Sequence, residues 1–269
     1  MIKKYLHNKI FLTGFCMFSF MFILMLLSFI WIPYDYNELN MSDKFSPFSF
    51  SHLLGTDFQG RDVFSRILIA TRISFFIGFT VMTAGFITGI ILGSVSGYFG
   101  GIADLIIMKI INTKMAFPGI LLALMLVAVS GGGFGTTILA LTIMSIPRYT
   151  RITRAGYIKY KNSLFVLSAR AKGASALRIM YLHILPNIIS DLSVTCTLSF
   201  ALAILSESGL SYLGLGVPID LPSFGQMLSE GKVKLFQSAA AVLVPAFFLT
   251  VLVLGLNLMG DGIYEENRK

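Results

Sequence analysis

The chain alternates long apolar runs with short polar stretches, and the runs set its architecture. Six of them, at about 10–33, 73–97, 105–130, 135–153, 187–208 and 239–259, are read as membrane spans. A helix needs roughly 20 mostly apolar residues to cross a hydrocarbon layer about 30 Å thick. A membrane β-barrel would show alternating segments of about ten residues, and these runs are continuous instead. The pattern therefore predicts an all-α integral membrane protein. The first run follows Lys3, Lys4 and Lys9. Its length of about 23 residues exceeds an ordinary signal-peptide core, and no small-x-small cleavage site follows, so it is expected to stay as an anchor.

Composition agrees with this class. Apolar residues make up 55% of the chain and charged residues 13%, against about 25% charged in soluble domains. Cys16 and Cys196 both fall inside apolar runs and read as small apolar residues. The expected organisation is an N-terminal anchor helix with the start of an external segment (1–50), then one transmembrane domain (51–269).

Charge gives the orientation. Arg148, Arg151, Arg154, Lys159, Lys161, Arg170, Lys172 and Arg178 cluster around the fourth and fifth runs, with no Asp or Glu between 148 and 186. That cluster alone equals the chain's net +8, and the positive-inside rule places it in the cytoplasm. Both termini are then expected inside and residues 34–72 outside.

Within the second run, Gly85, Gly89, Gly93 and Gly97 recur every four residues. Such a row clears one helix face so that another backbone can approach closely. It serves either packing within the chain or a subunit interface. Pro118, Pro147 and Pro245 lie in or near the third, fourth and sixth runs, where each removes a backbone donor and disfavours a straight helix.

The basic segment, about 154–186, carries the most specific pattern. Leu177, Met180, Tyr181, Ile184 and Leu185 fall on one helical stripe, and Leu164, Leu167, Ser168 and Ala171 form a shorter one. Gly173 between them can end the first helix and Ser175 can cap the second. The expectation is two short helices at an angle, after which Pro186 begins the fifth span. Lipid or solvent on one side and a protein partner on the other compete as occupants of this surface. Nucleic acid is not an expected partner, because the basic residues are tied to a membrane face.

The run Ser168-Ala169-Arg170-Ala171-Lys172-Gly173, followed by His183-Ile184-Leu185-Pro186-Asn187, resembles the coupling loop of binding-protein-dependent ABC permeases. The family pattern is Glu-Ala-Ala, three residues, Gly, nine residues, then Ile-x-Leu-Pro. Leu167 stands at the acidic position, Ser168 follows it, and His183 takes the Ile place, while Gly173, Leu185 and Pro186 keep the spacing. Two further blocks are similar to the peptide and nickel branch, in the second permease of such systems. They are His52-Leu53-Leu54-Gly55-Thr56-Asp57 with Gly60-Arg61-Asp62-Val63-Phe64-Ser65-Arg66, and Glu207-Ser208-Gly209-Leu210-Ser211-Tyr212-Leu213-Gly214-Leu215-Gly216.

The resemblance implies a six-helix type I ABC importer permease in a bacterial cytoplasmic membrane. Its implied partners are a sister permease, two ABC ATPases, an external solute-binding protein and membrane lipid. ATPase coupling would fall to Leu167, Ser168, Ala169, Arg170, Gly173, Leu177, His183 and Pro186. No cofactor is expected on this chain, ATP and Mg being used by the ATPases, and no catalytic residue or metal ligand is expected. The stretch from Gly225 to Gly231-Lys232-Val233 has one residue too many for a phosphate loop and lacks its Ser/Thr. His52, Asp57 and Asp62 read as turn, cap and ion-pair residues, Asp62 with a neighbouring arginine. Glu207, at the outer end of the fifth run, is an ionisable group at membrane depth and a candidate gate or interface residue. Asp191 lies nearer the basic end. Peptide is the expected cargo, with nickel or a metal chelate as the alternative. A stand-alone channel or secondary transporter is the competing class.

Overall fold

The computed structural model describes residues 8–218 and 220–268. Lys3 and Lys4, which enter the orientation argument, lie outside the described residues. The described chain is helical: α1 (Lys9–Ile30), α2 (Val63–Phe99), α3 (Gly101–Met115), α4 (Gly119–Ser130), α5 (Phe134–Tyr160), α6 (Leu164–Ala171), α7 (Ala176–Tyr212), α8 (Phe224–Val233) and α9 (Ala240–Arg268). One end of the bundle carries residues 31–62, 213–218 and 220–239 and is called the loop end. The other carries 161–175 and is called the basic end.

Four of these helices, α1, α2, α7 and α9, are long and apolar enough to cross a membrane. α5 adds about 40 Å of helix at 1.5 Å per residue, uncharged from Phe134 to Pro147 and basic beyond.

The third expected span, 105–130, is not one helix. α3 and α4 meet at 86°. Pro118 donates no N–H and biases Phe117 away from helical angles, and its own backbone is extended at φ −55°, ψ 122°. α3 is fastened crosswise at the basic end. Arg154 Nε and Nη2 donate to the two carboxylate oxygens of Asp104 at 2.6 and 2.7 Å, and Ser96 Oγ donates to the same group. Pro147 and Pro245, by contrast, lie inside α5 and α9 without ending them.

The second span also starts earlier than hydropathy suggests. α2 begins at Val63, where the Asp62 carboxylate accepts from Ser65 N at 2.7 Å and caps the helix. Its first turns carry Arg66 and Arg72, which keep this stretch out of an apolar window although most of it is buried.

α2 and α5 make the most extensive helix pair in the molecule. A methyl group on Gly93 would sit 2.6 Å from Thr150 O and from Thr153 Cβ, and one on Gly97 would sit 2.6 Å from Tyr157 Cβ. Methyls on Gly85 and Gly89 would run into Ser145 and Tyr149. The glycine face is therefore filled by α5 of the same chain. On the opposite flank α1 lies along α9, where Gly14 meets Gly255 and Met259. There Asn8 caps α1 and donates to Glu265 Oε2 at 2.8 Å.

Leucine at Gly93 has no room, and overpacking of this kind costs about 1–3 kcal/mol. Gly93→Leu is expected to lower the melting temperature of the detergent-solubilised protein clearly, while Gly135→Leu, whose added Cβ meets nothing within 4 Å, leaves it near wild type. Scanning fluorimetry of the two variants checks this.

Candidate functional site

The basic segment folds into a bent pair. α6 ends in a Schellman turn: Gly173 N donates to Arg170 O at 3.0 Å and Ala174 N to Ala169 O at 3.1 Å, with Gly173 at φ 81°. That left-handed backbone is where glycine avoids the Cβ clash. Ser175 then accepts from Arg178 N at 3.4 Å and opens α7.

The second arm is not a separate short helix, and Pro186 does not begin the span. Ala176–Tyr212 runs as one helix through a π-helical stretch at Ile179–Ile184. Pro186 has no N–H to return to Leu182, and a widened turn just before it absorbs that loss. Leu185 N instead donates to Met180 O, and that carbonyl also accepts from Tyr157 Oη at 2.9 Å. α5 thus holds the π turn directly.

The wider turn changes which side chains face inward. Ile179, Met180, Ile184 and Ile188 are buried with Tyr149, Tyr157, Val166 and Ala169. The expected single stripe is split: Met180 and Ile184 go in, while Leu177, 64% exposed, and Tyr181 stay out. On α6 the buried residues are Val166 and Ala169, so the Leu164–Leu167–Ser168–Ala171 stripe faces outward. Leu164 and Leu182 are 83% and 64% exposed. Arg170, Lys172 and Arg178 are exposed around them, and His183 and Pro186 lie alongside, half-buried and exposed. The bent pair therefore presents exposed leucines and exposed basic side chains together, above a buried core.

Glu207 is fully buried near the loop end of α7. Ser211 Oγ donates to its Oε1 at 2.6 Å and Ser208 Oγ approaches Oε2 at 3.5 Å. Ser211 Oγ also accepts from Val217 N at 3.3 Å. The carboxylate is therefore tied, through one hydroxyl, to the loop that follows α7. Asp191 is exposed nearer the basic end.

A cluster that the sequence reading did not assemble lies at the loop end. Asp57 Oδ2 accepts from Arg61 Nε at 2.6 Å and Arg66 Nη1 at 2.7 Å, and its Oδ1 accepts from Gln59 N and Arg61 N. Glu230 Oε2 on α8 takes the same two arginines, at 2.7 Å from Arg61 Nη2 and 3.1 Å from Arg66 Nη2. Asp62 does not pair with an arginine: it caps α2 and lies 2.9 Å from His52 Nδ1. The arginines go to Asp57 and Glu230 because Gly55 and Gly60, both at positive φ, fold the 55–62 turn back onto α8. The separation of 169 residues between Arg61 and Glu230 hides this pairing from any local reading.

Residues 85–265 match the model of a family described as binding-protein-dependent transport system inner membrane component. The chain belongs to this family. It is 34% identical over 263 residues to the dipeptide transport system permease protein DppC of Alkalihalophilus pseudofirmus, covering 98% of this chain and 86% of that protein. It is 35% identical over 262 residues to the oligopeptide transport system permease protein OppC of Bacillus subtilis, covering 97% and 86%. It is 38% identical over 232 residues to the glutathione transport system permease protein GsiD of Pectobacterium atrosepticum, covering 86% and 75%. Among solved structures, a chain of the inward-facing MetNI methionine ABC transporter superposes with a TM-score of 0.61 at 19% identity, covering 74% of this chain and 95% of that one. The fold is that of an ABC importer permease, and the chain is the membrane component of a binding-protein-dependent importer.

In this permease the loop-end cluster buries Arg66 to 2% exposure, so removing an acid leaves a buried cation short of a partner. Asp57→Ala is expected to cost about 3 kcal/mol and to lower the melting temperature markedly. Asp35→Ala, on an exposed carboxylate, is expected to change it little in the same assay.

Proposed function

We propose that this permease forms half of the solute pathway of an ATP-driven peptide importer, paired with a sister permease, two ABC ATPases and an external binding protein. The bent pair Leu164–Ile184 is the surface on which an ATPase docks, with both termini and that surface in the cytoplasm. ATP and Mg are used by the ATPases. The observation that carries this reading is that the bent pair leaves Leu164, Leu167, Leu177 and Leu182 exposed beside exposed Arg170, Lys172 and Arg178. Large apolar side chains left exposed on two adjoining short helices, over a buried core, suit a protein contact.

The relatives named above carry dipeptides, oligopeptides and glutathione, all of them peptides, and this supports peptide over nickel as the cargo. Gly173 serves the docking surface by its backbone. No atom lies within 4 Å of the position its Cβ would take, so a substitution there acts through the turn and through the partner, not through packing inside the chain. The Glu207–Ser211–Val217 link ties the loop end of α7 to the following loop, which suits a gate at that end.

Uptake of labelled dipeptide into proteoliposomes is the direct test. It is expected with the full set of subunits and binding protein, and absent with this chain alone; transport by the chain alone would mark a channel or secondary transporter instead. Gly173→Glu is expected to leave assembly intact and ATP hydrolysis measurable while cutting uptake at least about tenfold. Gly173→Ala, which pays roughly 1–2 kcal/mol for the left-handed backbone, is expected to fall between. For orientation, Lys161→Cys should react with an impermeant thiol reagent in inverted vesicles and not in intact cells, and the reverse result would place the bent pair outside.

A further inference from the structure

Between α1 and α2 runs an aromatic groove of about 750 Å³, within the range of ligand sites. Its floor is Phe75, whose ring centroid lies 5.6 Å from that of Phe18, 5.9 Å from Phe22 and 5.8 Å from Phe200. Phe76 and Phe79 stand exposed along its rim. Arg72 closes the loop end. Its guanidinium stacks over Phe29 at 4.1 Å, and it donates from Nε to Ser28 Oγ at 3.0 Å and from Nη2 to Ser28 O.

Three observations narrow the occupant. The first is length: from Phe29 to Phe18 on α1, and from Arg72 to Met82 on α2, the walls run about 15 Å at 1.5 Å per residue, which is half of a hydrocarbon core about 30 Å thick. The second is charge. Arg72 has no carboxylate within ion-pairing distance among the described residues, so an unneutralised guanidinium sits at the loop end of the groove, level with the last turn of α1. The third is wall chemistry. Helices associate in membranes through small residues, and the lining of phenylalanine, methionine, isoleucine and Arg72 contains none. A slender chain fits these walls better than a second helix.

We propose that this groove binds one acyl chain of an anionic phospholipid, whose phosphate is held by Arg72. A planar guanidinium suits a phosphate through paired N–H donors, and an arginine at the headgroup level costs little to keep charged. On the orientation proposed above the lipid belongs to the outer leaflet. The site itself does not depend on that orientation, and its test does not use it.

The assembled transporter is exchanged into detergent with equal phosphatidylglycerol and phosphatidylcholine of matched chains, and retained lipid is counted by native mass spectrometry. The wild type is expected to retain phosphatidylglycerol in preference. Arg72→Gln is expected to reduce that preference about fivefold, and Arg72→Lys to keep most of it. Met82→Trp, which fills the groove midway, is expected to lose both lipids without loss of the subunits. If that variant fails to assemble, Met25→Trp blocks the groove from the facing wall. A photoreactive residue at Phe79 supplies an independent readout, with cross-links to lipid expected. Equal retention of the two lipids by the wild type, an unchanged preference in Arg72→Gln, or cross-links from position 79 to the sister permease would each overturn the proposal.

Discussion

The close approach of α2 and α5 is the contact on which the remainder of the fold leans. Without Cβ atoms at Gly85, Gly89, Gly93 and Gly97, the backbone of α2 rests directly against Ser145, Tyr149, Thr150, Thr153, Arg154 and Tyr157. In hydrocarbon there is no apolar driving force between helices, so this packing is itself the cohesive term. Three of the α5 residues that meet the seam have a second task. Arg154 holds Asp104 and with it the crosswise helix α3. Tyr149 and Tyr157 build the core under the bent pair, and Tyr157 Oη holds the carbonyl of Met180. Pushing the two helices apart would loosen the base of the bent pair before it touched the pair itself.

The features legible in the sequence were those with a local period, and those that escaped were set by distant parts of the chain. The four glycines announced a close contact, because their spacing is a property of one helix. The partner was not legible, because Tyr149 and Thr150 share no pattern with them. Gly173 and Ser175 were readable as terminator and cap from residue type alone, and the backbone bears out both. The apolar stripe beginning at Leu177 splits because a uniform 3.6-residue period does not hold across the π turn just before Pro186. Pro118 is where the structure departs from the hydropathy pattern. With an apolar run on each side, hydropathy favoured one straight span, whereas the missing N–H turns the chain by 86°.

The loop-end cluster shows the same division from the other side. Hydropathy placed the start of the second span at residue 73 because Arg61, Arg66 and Arg72 interrupt the apolar run. Those arginines are not outside the structure. Arg66 is buried against Asp57 and Glu230, and Arg72 lies over Phe29. A charge count treats each as a cost, but a buried arginine shared between two carboxylates is compensated, and the helix continues through it. The partner acid Glu230 comes from α8, so the clamp joins the segment before α2 to the segment after α7.

These two attachments act on one element. α2 has 37 residues, about 55 Å of helix, well beyond the roughly 30 Å of a hydrocarbon core. Its first turns are fixed by Asp62, Arg66 and the Asp57–Glu230 pair at the loop end, and its last by the glycine seam and Ser96–Asp104–Arg154 at the basic end. A helix pinned at both ends resists bending between them, and closely packed interiors transmit displacement instead of absorbing it. Displacement of α5 against α2 is therefore poorly absorbed at Gly85, Gly89, Gly93 and Gly97, where the α2 face has no side chain to change rotamer. Moving α5 would carry α2 with it, and with α2 the arginine clamp and the turn at 55–62. The bent pair at one end and the loops at the other therefore share a single stiff connection through α2 and α5.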